Sequence, residues 1–276
     1  MITGRNLRLR SLSIPPMTSS SRTVAPFFLL TFGITWGLQL PGVFVQQGLL
    51  PGSSEAYLPL AGLGMLGPAV AATVLSARQG GKGAVRQLYG RLLLWRVSAL
   101  WYVAALAVPA LLLSAVLGLL RVAGRQGPIE YFPVVGALVF GLVISVVEEL
   151  GWRGYALPRL EARFGPFLAS TLLGVAWYLW HIPMFVGLGV PLDLVLVMLL
   201  YFTGASLYMT WIARGTGQSL LLAVAAHWGA HLNNSHRALP DDVVPLVAHA
   251  IIYAALGLFV LRPRDRQRGG LAAERA

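Results

Sequence analysis

Long apolar stretches recur along the whole chain, separated by short segments that hold most of its charged residues. A ~30 Å hydrocarbon core takes about 20 helical residues to cross. Eight stretches reach or approach that length, at 24–45, 57–77, 97–120, 131–150, 166–188, 191–213, 218–235 and 243–261. In lipid a backbone must satisfy its own hydrogen bonds, and a helix does so within itself. The pattern therefore predicts an all-α polytopic membrane protein, a bundle of about eight transmembrane helices. It reads as one domain over 24–261, with a cytoplasmic tail at 1–23 and a basic cytoplasmic tail at 262–276.

Composition agrees. The chain is 57% hydrophobic and 11% charged, with mean hydropathy +0.70, whereas soluble domains carry charge on about a quarter of their residues. It has no cysteine, so disulfide and thiol chemistry are excluded. The net charge of +11 is explained by where the cations lie. Eighteen of the 21 Lys and Arg fall in the N-terminal tail, in 78–96, in 153–163, at Arg214 and in 262–275, and the alternate loops hold Arg121, Arg125 and Arg237. Positive loops stay inside, so both termini are expected in the cytoplasm. The charge then speaks for topology and for attraction to anionic lipid, not for nucleic acid. No small-residue cleavage site follows the basic N-terminus, which reads as a tail and not as a removed signal peptide. Arginine outnumbers lysine twenty to one beside abundant Ala, Gly and Leu, a composition that suggests GC-rich coding and hence a bacterial inner (plasma) membrane.

Ionisable groups inside a bilayer cost about 2.5–3.5 kcal/mol each on insertion scales, so each one is a functional candidate unless a structural pairing accounts for it. The candidates are Glu148, Glu149 and Arg153 in "VVEELGWRGYALP", His181 in "WYLWHIP", His227 and His231 in "AVAAHWGAHLNN", and His249. Glu149 and Arg153 are four apart and share a helix face, whereas Glu148 is rotated about 100° away. A helix-end ion pair with one solvated glutamate is the plain reading of that motif. His227, His231 and Asn234 follow i, i+4, i+7 spacing and form a polar stripe that must face protein or water. His181 and His249 could each be hydrogen-bonded packing residues. Together, a carboxylate without its own cation, several imidazoles and an intramembrane polar cavity would suffice to activate water against an amide, or to hold a divalent metal that does so. The H-E-x-x-H zinc-protease motif is absent, because Trp, Gly and Ala separate His227 from His231.

The three blocks "EELGWRG", "WYLWHIPMF" and "SLLLAVAAHWGAHLNN", in this order, resemble the CPBP intramembrane proteases, which include the CAAX prenyl endopeptidases and the bacterial Abi proteins. The resemblance covers 146–235, the motif core. It implies a helical membrane bundle and an intramembrane peptidase. It also implies that Glu148 and His181 activate the attacking water, and that His227 serves the oxyanion or a metal. Glu149, Arg153 and Asn234 would support those groups from behind. The family's last block reads H-x-x-x-N, whereas this chain has His231 at the final position. Histidine binds metal where an amide binds poorly. A zinc site of Glu148, His181, His227 and His231 is therefore an expectation, with a metal-free site left open.

A non-enzymatic transporter or scaffold that uses the same cluster for protons or ions is the alternative, although no repeat symmetry of the transporter kind is visible. The expected partners are the lipid bilayer and a membrane-associated protein or peptide, with a small membrane peptide preferred over a prenylated protein. Depth adds one more expectation. Glu148 reaches the level of His227 only if its helix continues to about Leu157, before Pro158, and the next helix then starts with a long projection through "PRLEARFGPF".

Overall fold

A computed structural model describes residues 24–124, 130–131, 134–234, 236–237 and 243–261. The tails and Arg125 lie outside the described residues. The chain runs through α1 (Ala25–Gln46), α2 (Leu58–Gly64), α3 (Gly67–Gly90), α4 (Ala99–Val122) and α5 (Val134–Glu149). A π-helical turn, Leu150–Ala156, leads directly into α6 (Leu157–Trp180). Then follow α7 (Ile182–Gly187), α8 (Leu192–Gly215), α9 (Leu220–Asn234) and α10 (Val243–Val260). The two-residue strands β1 (Glu130–Tyr131) and β2 (His236–Arg237) pair antiparallel and join the start of α5 to the end of α9.

Among the described residues, five helical segments are long and apolar enough to cross a membrane: Ala25–Gln46, Ser54–Leu93, Ala99–Val122, Leu138–Gly187 and Leu192–Gly215. Two shorter apolar helices, Leu220–His231 and Leu246–Val260, lie within α9 and α10. The chain is thus an all-α, multi-pass integral membrane protein. The figure of eight crossings is not established, because Leu138–Gly187 is one 50-residue run that joins two of the stretches drawn separately from sequence.

The polarity runs inside out. Leu29, Leu100, Val122 and Leu196 are exposed on the outside, where lipid tails would meet them, while Glu148, Glu149, Arg153 and His227 are buried. α8 packs against α6, α9 and α10, and α9 packs against α4 and α5. Hydroxyls tie α6 to α8, with Ser170 Oγ 2.8 Å from Thr210 Oγ1 and Ser206 Oγ donating to Ser170 O at 2.9 Å. Such bonds hold helices together where lipid removes the hydrophobic drive for their association.

The expected helix end at Pro158 is corrected. The helical path runs through Pro158 to Phe164, because the π-turn shifts the register there: Leu157 N–H bonds Trp152 O, five residues back. The bend comes instead at Gly165, whose φ of 74° is open to glycine and costly for other residues. The π-turn lies against α3 at Gly151, where a Cβ would come within 2.5 Å of Pro68 Cβ.

Candidate active site

The two glutamates end α5, and the π-turn after them carries Trp152 and Arg153 back over the same face. Arg153 Nη1 donates to Glu149 Oε1 at 2.8 Å, and both side chains are fully buried. That pair follows the i, i+4 spacing. The second partner of Glu149 was not legible: His227 Nδ1, on α9, lies 2.9 Å from the same Oε1. A carboxylate accepts, so His227 donates from Nδ1 and its Nε2 is left for other work. Glu149 thereby joins the arginine of its own turn to the histidine of another helix.

Glu148 has different company. Its Oε2 accepts from two indoles, Trp152 Nε1 at 3.2 Å and Trp177 Nε1 at 2.6 Å. Among the described residues Oε1 carries no hydrogen bond. Trp152 is one turn from Glu148 and could have been found by its spacing. Trp177 lies on α6, four residues before His181, and no local spacing links it to Glu148. Its ring stands edge-on to His227, with centroids 5.1 Å apart, and Arg153 sits over its face at 4.9 Å.

His181 terminates α6. Its Nδ1 is 2.8 Å from Trp177 O, and a carbonyl only accepts, so Nε2 again holds the lone pair. His231 stacks on His227, with ring centroids 4.9 Å apart and planes 15° from parallel, and its buried Nε2 has no hydrogen-bond partner among the described residues. Glu148, His181, His227 and His231 all border one cavity of about 90 Å³, with Trp177, Phe202, Tyr208 and Tyr253 among the other walls. That space is large enough for several water molecules. The side chain of Asn234 is outside the described residues. His249 is not part of this wall; it packs against Tyr201 and Tyr253, and among the described residues its Nε2 has no hydrogen bond of the kind expected of a packing histidine.

The expected zinc site is not supported by this arrangement. No group of three or more His, Cys, Asp or Glu among the described residues is placed to hold an ion. The reason is visible in the donors. Lone pairs of His227 and His231 lie in nearly parallel ring planes and do not converge on one ion at ~2.1 Å. The indoles occupy Glu148 Oε2, so Glu148 could offer an ion only Oε1.

The model for type II CAAX prenyl endopeptidase Rce1-like proteins matches residues 130–233, the same stretch that builds this cavity. A protein named CAAX prenyl protease 2 from Methanococcus maripaludis is 28% identical over 250 residues, covering 82% of this chain and 92% of that protein. Over this core the chain is similar to the CAAX prenyl endopeptidases of the CPBP group. That similarity supports an intramembrane endopeptidase in place of a transporter or scaffold. The family match also spans both halves of the constellation, from the glutamates on α5 to the histidines on α9.

Proposed function

We propose that this protein hydrolyses a peptide bond of a membrane-associated polypeptide with a water activated by Glu148 and His181. The observation that carries the reading is the convergence of Glu148, His181, His227 and His231 on one small cavity inside an otherwise apolar bundle. A water there gives one hydrogen to Glu148 Oε1 and the other to His181 Nε2, leaving a lone pair for the scissile carbonyl carbon. Attack moves the water proton to Glu148 and places negative charge on the carbonyl oxygen. His227, held through Nδ1 by Glu149 as a triad histidine is held by its carboxylate, donates from Nε2 to that oxyanion when protonated. His231 supplies an N–H without needing charge, the role that an amide would serve. Glu148 then returns its proton to the leaving amine as the C–N bond breaks.

The substrate is a membrane peptide or protein that enters from the bilayer or from the cytoplasmic face. A short unprenylated membrane peptide is our preferred class. The relative's printed name concerns prenyl-protein cleavage, which makes a prenylated C-terminal peptide the comparison. The test is cleavage in liposomes of a panel containing both classes. Glu148→Gln, His181→Ala and His227→Ala are each expected to lower kcat by ~10²-fold or more. His231→Asn, which keeps a donor, is expected to stay within about fivefold of wild type, and His231→Ala to fall further. A panel left uncut, or a Glu148→Gln variant as fast as wild type, would sink the assignment.

A further inference from the structure

We infer that Arg91 is a positioning residue that sets the glutamate-bearing turn against the histidine-bearing helix. Arg91 opens the 3₁₀ turn Arg91–Leu93 after α3, and sequence counted it only as one of several loop cations. Its side chain is buried and makes four hydrogen bonds. Nη1 donates to Gly154 O at 2.7 Å and Nη2 to Arg153 O at 3.1 Å. Nε donates to Gln218 O at 2.9 Å, and Nη2 reaches Gln218 Oε1 at 3.1 Å.

Each acceptor has a reason to need an outside donor. In the π register, where Leu157 N–H serves Trp152 O, the next donor would belong to residue 158 and would serve Arg153 O. In the α register residue 158 would serve Gly154 O. Residue 158 is proline and has no N–H. A buried carbonyl left unpaired is costly, and Arg91 covers both. On the other side Gln218 closes the turn between α8 and α9 with a φ of 68°, the one positive φ at a non-glycine among the described residues. Its amide also donates to Glu161 Oε2 at 3.4 Å, and Arg214 pairs with Glu161 at 3.2 Å.

One planar guanidinium thus fixes two helical elements at their bases. Glu148 lies five residues before Arg153, and His227 nine after Gln218, so a shift at the base is carried about one and a half helical turns to the glutamate and about two and a half to the histidine. A misplacement of about 1 Å between reacting groups costs on the order of 10²-fold in rate. Lysine has three rotatable donors on a point charge and cannot reproduce the fork.

The inference rests on the proposed reading, in which Glu148 and His227 act on one substrate, so its test has a readout that needs no substrate. The full chain, labelled with ¹⁵N-histidine and held in detergent or nanodiscs, is compared as wild type, Arg91→Lys and Gln218→Gly. Gln218→Gly removes the side-chain acceptor while relieving the left-handed backbone, so its effect is not loss of folding. The Nδ1–H signal of His227, bonded to Glu149, is expected to shift or broaden in Arg91→Lys and, less, in Gln218→Gly, with the His249 signals unchanged. For the peptide cut under the proposed function, Arg91→Lys should lower kcat ~10-fold or more with KM within about twofold. His227 signals identical in all three proteins would overturn the positioning role. A shifted His227 signal beside a fully active Glu148→Gln would leave this link standing and overturn the catalytic reading instead.

Discussion

Glu148 and Glu149 are adjacent in sequence and differ completely in what surrounds them. Glu149 is held by a guanidinium and an imidazole, and removing one member of such a buried set leaves an unpaired charge worth about 3–5 kcal/mol of destabilisation. Glu148 is held by two indoles through one oxygen only. Indole N–H groups are neutral donors, so they orient the carboxylate without cancelling its charge, and Oε1 stays available to water. The two bonds differ in length, and that difference orders their replacements. Trp177→Phe, which deletes the 2.6 Å donor, is expected to lower kcat about tenfold. Trp152→Phe, which deletes the 3.2 Å donor, is expected to lower it by less. Steady-state cleavage of the same peptide by both variants checks the order, and a larger loss in Trp152→Phe would contradict it.

Among the elements, the π-turn Leu150–Ala156 matters most. It lets the chain pass a proline without ending the helix, and it swings Trp152 and Arg153 back to the two glutamates. Irregular turns of this kind are frequent at functional sites. Gly151 allows it to lie on α3, since a Cβ there would meet Pro68 at 2.5 Å. Gly151→Ala must therefore push the turn off α3 or distort it, at a cost of about 1–3 kcal/mol. A lowered thermal midpoint together with a fall in kcat is expected; an unchanged midpoint would show that the turn is not clamped there. The turn also marks the limit of what sequence could tell. Apolar stretches reveal helices because their length is set by the bilayer. The Glu149–Arg153 pair was legible because both partners lie on one helical face. The Glu149–His227 bond spans 78 positions, and the Trp177–Glu148 bond spans 29, so neither follows from any local period. The π register itself depends on Arg91 capping carbonyls from another helix, which no reading of "RGYALP" could supply.

For the whole molecule, the remaining question is orientation, because it decides from which side water reaches the cavity. The segment 78–96 carries five cations and the features of a membrane interface: Trp95 is exposed, Arg96 lies over its ring at 5.1 Å, and Tyr102 donates to Trp95 O. Aromatic belts occur at both faces of a bilayer, and cations choose between them. By that rule the base of α3, the Arg91 turn and the start of α9 are expected on the cytoplasmic side, with Arg121 at the opposite end of α4. A chain without cysteine makes the test direct. Lys82 and Arg121 are both exposed, so Lys82→Cys and Arg121→Cys introduce single labelling sites with little disturbance of packing. In sealed cells, a membrane-impermeant maleimide is expected to label Arg121→Cys and to spare Lys82→Cys, and in inverted vesicles the pattern should reverse. Labelling of Lys82→Cys in sealed cells would invert the protein, and the site would then draw its water and its substrate from the outer face.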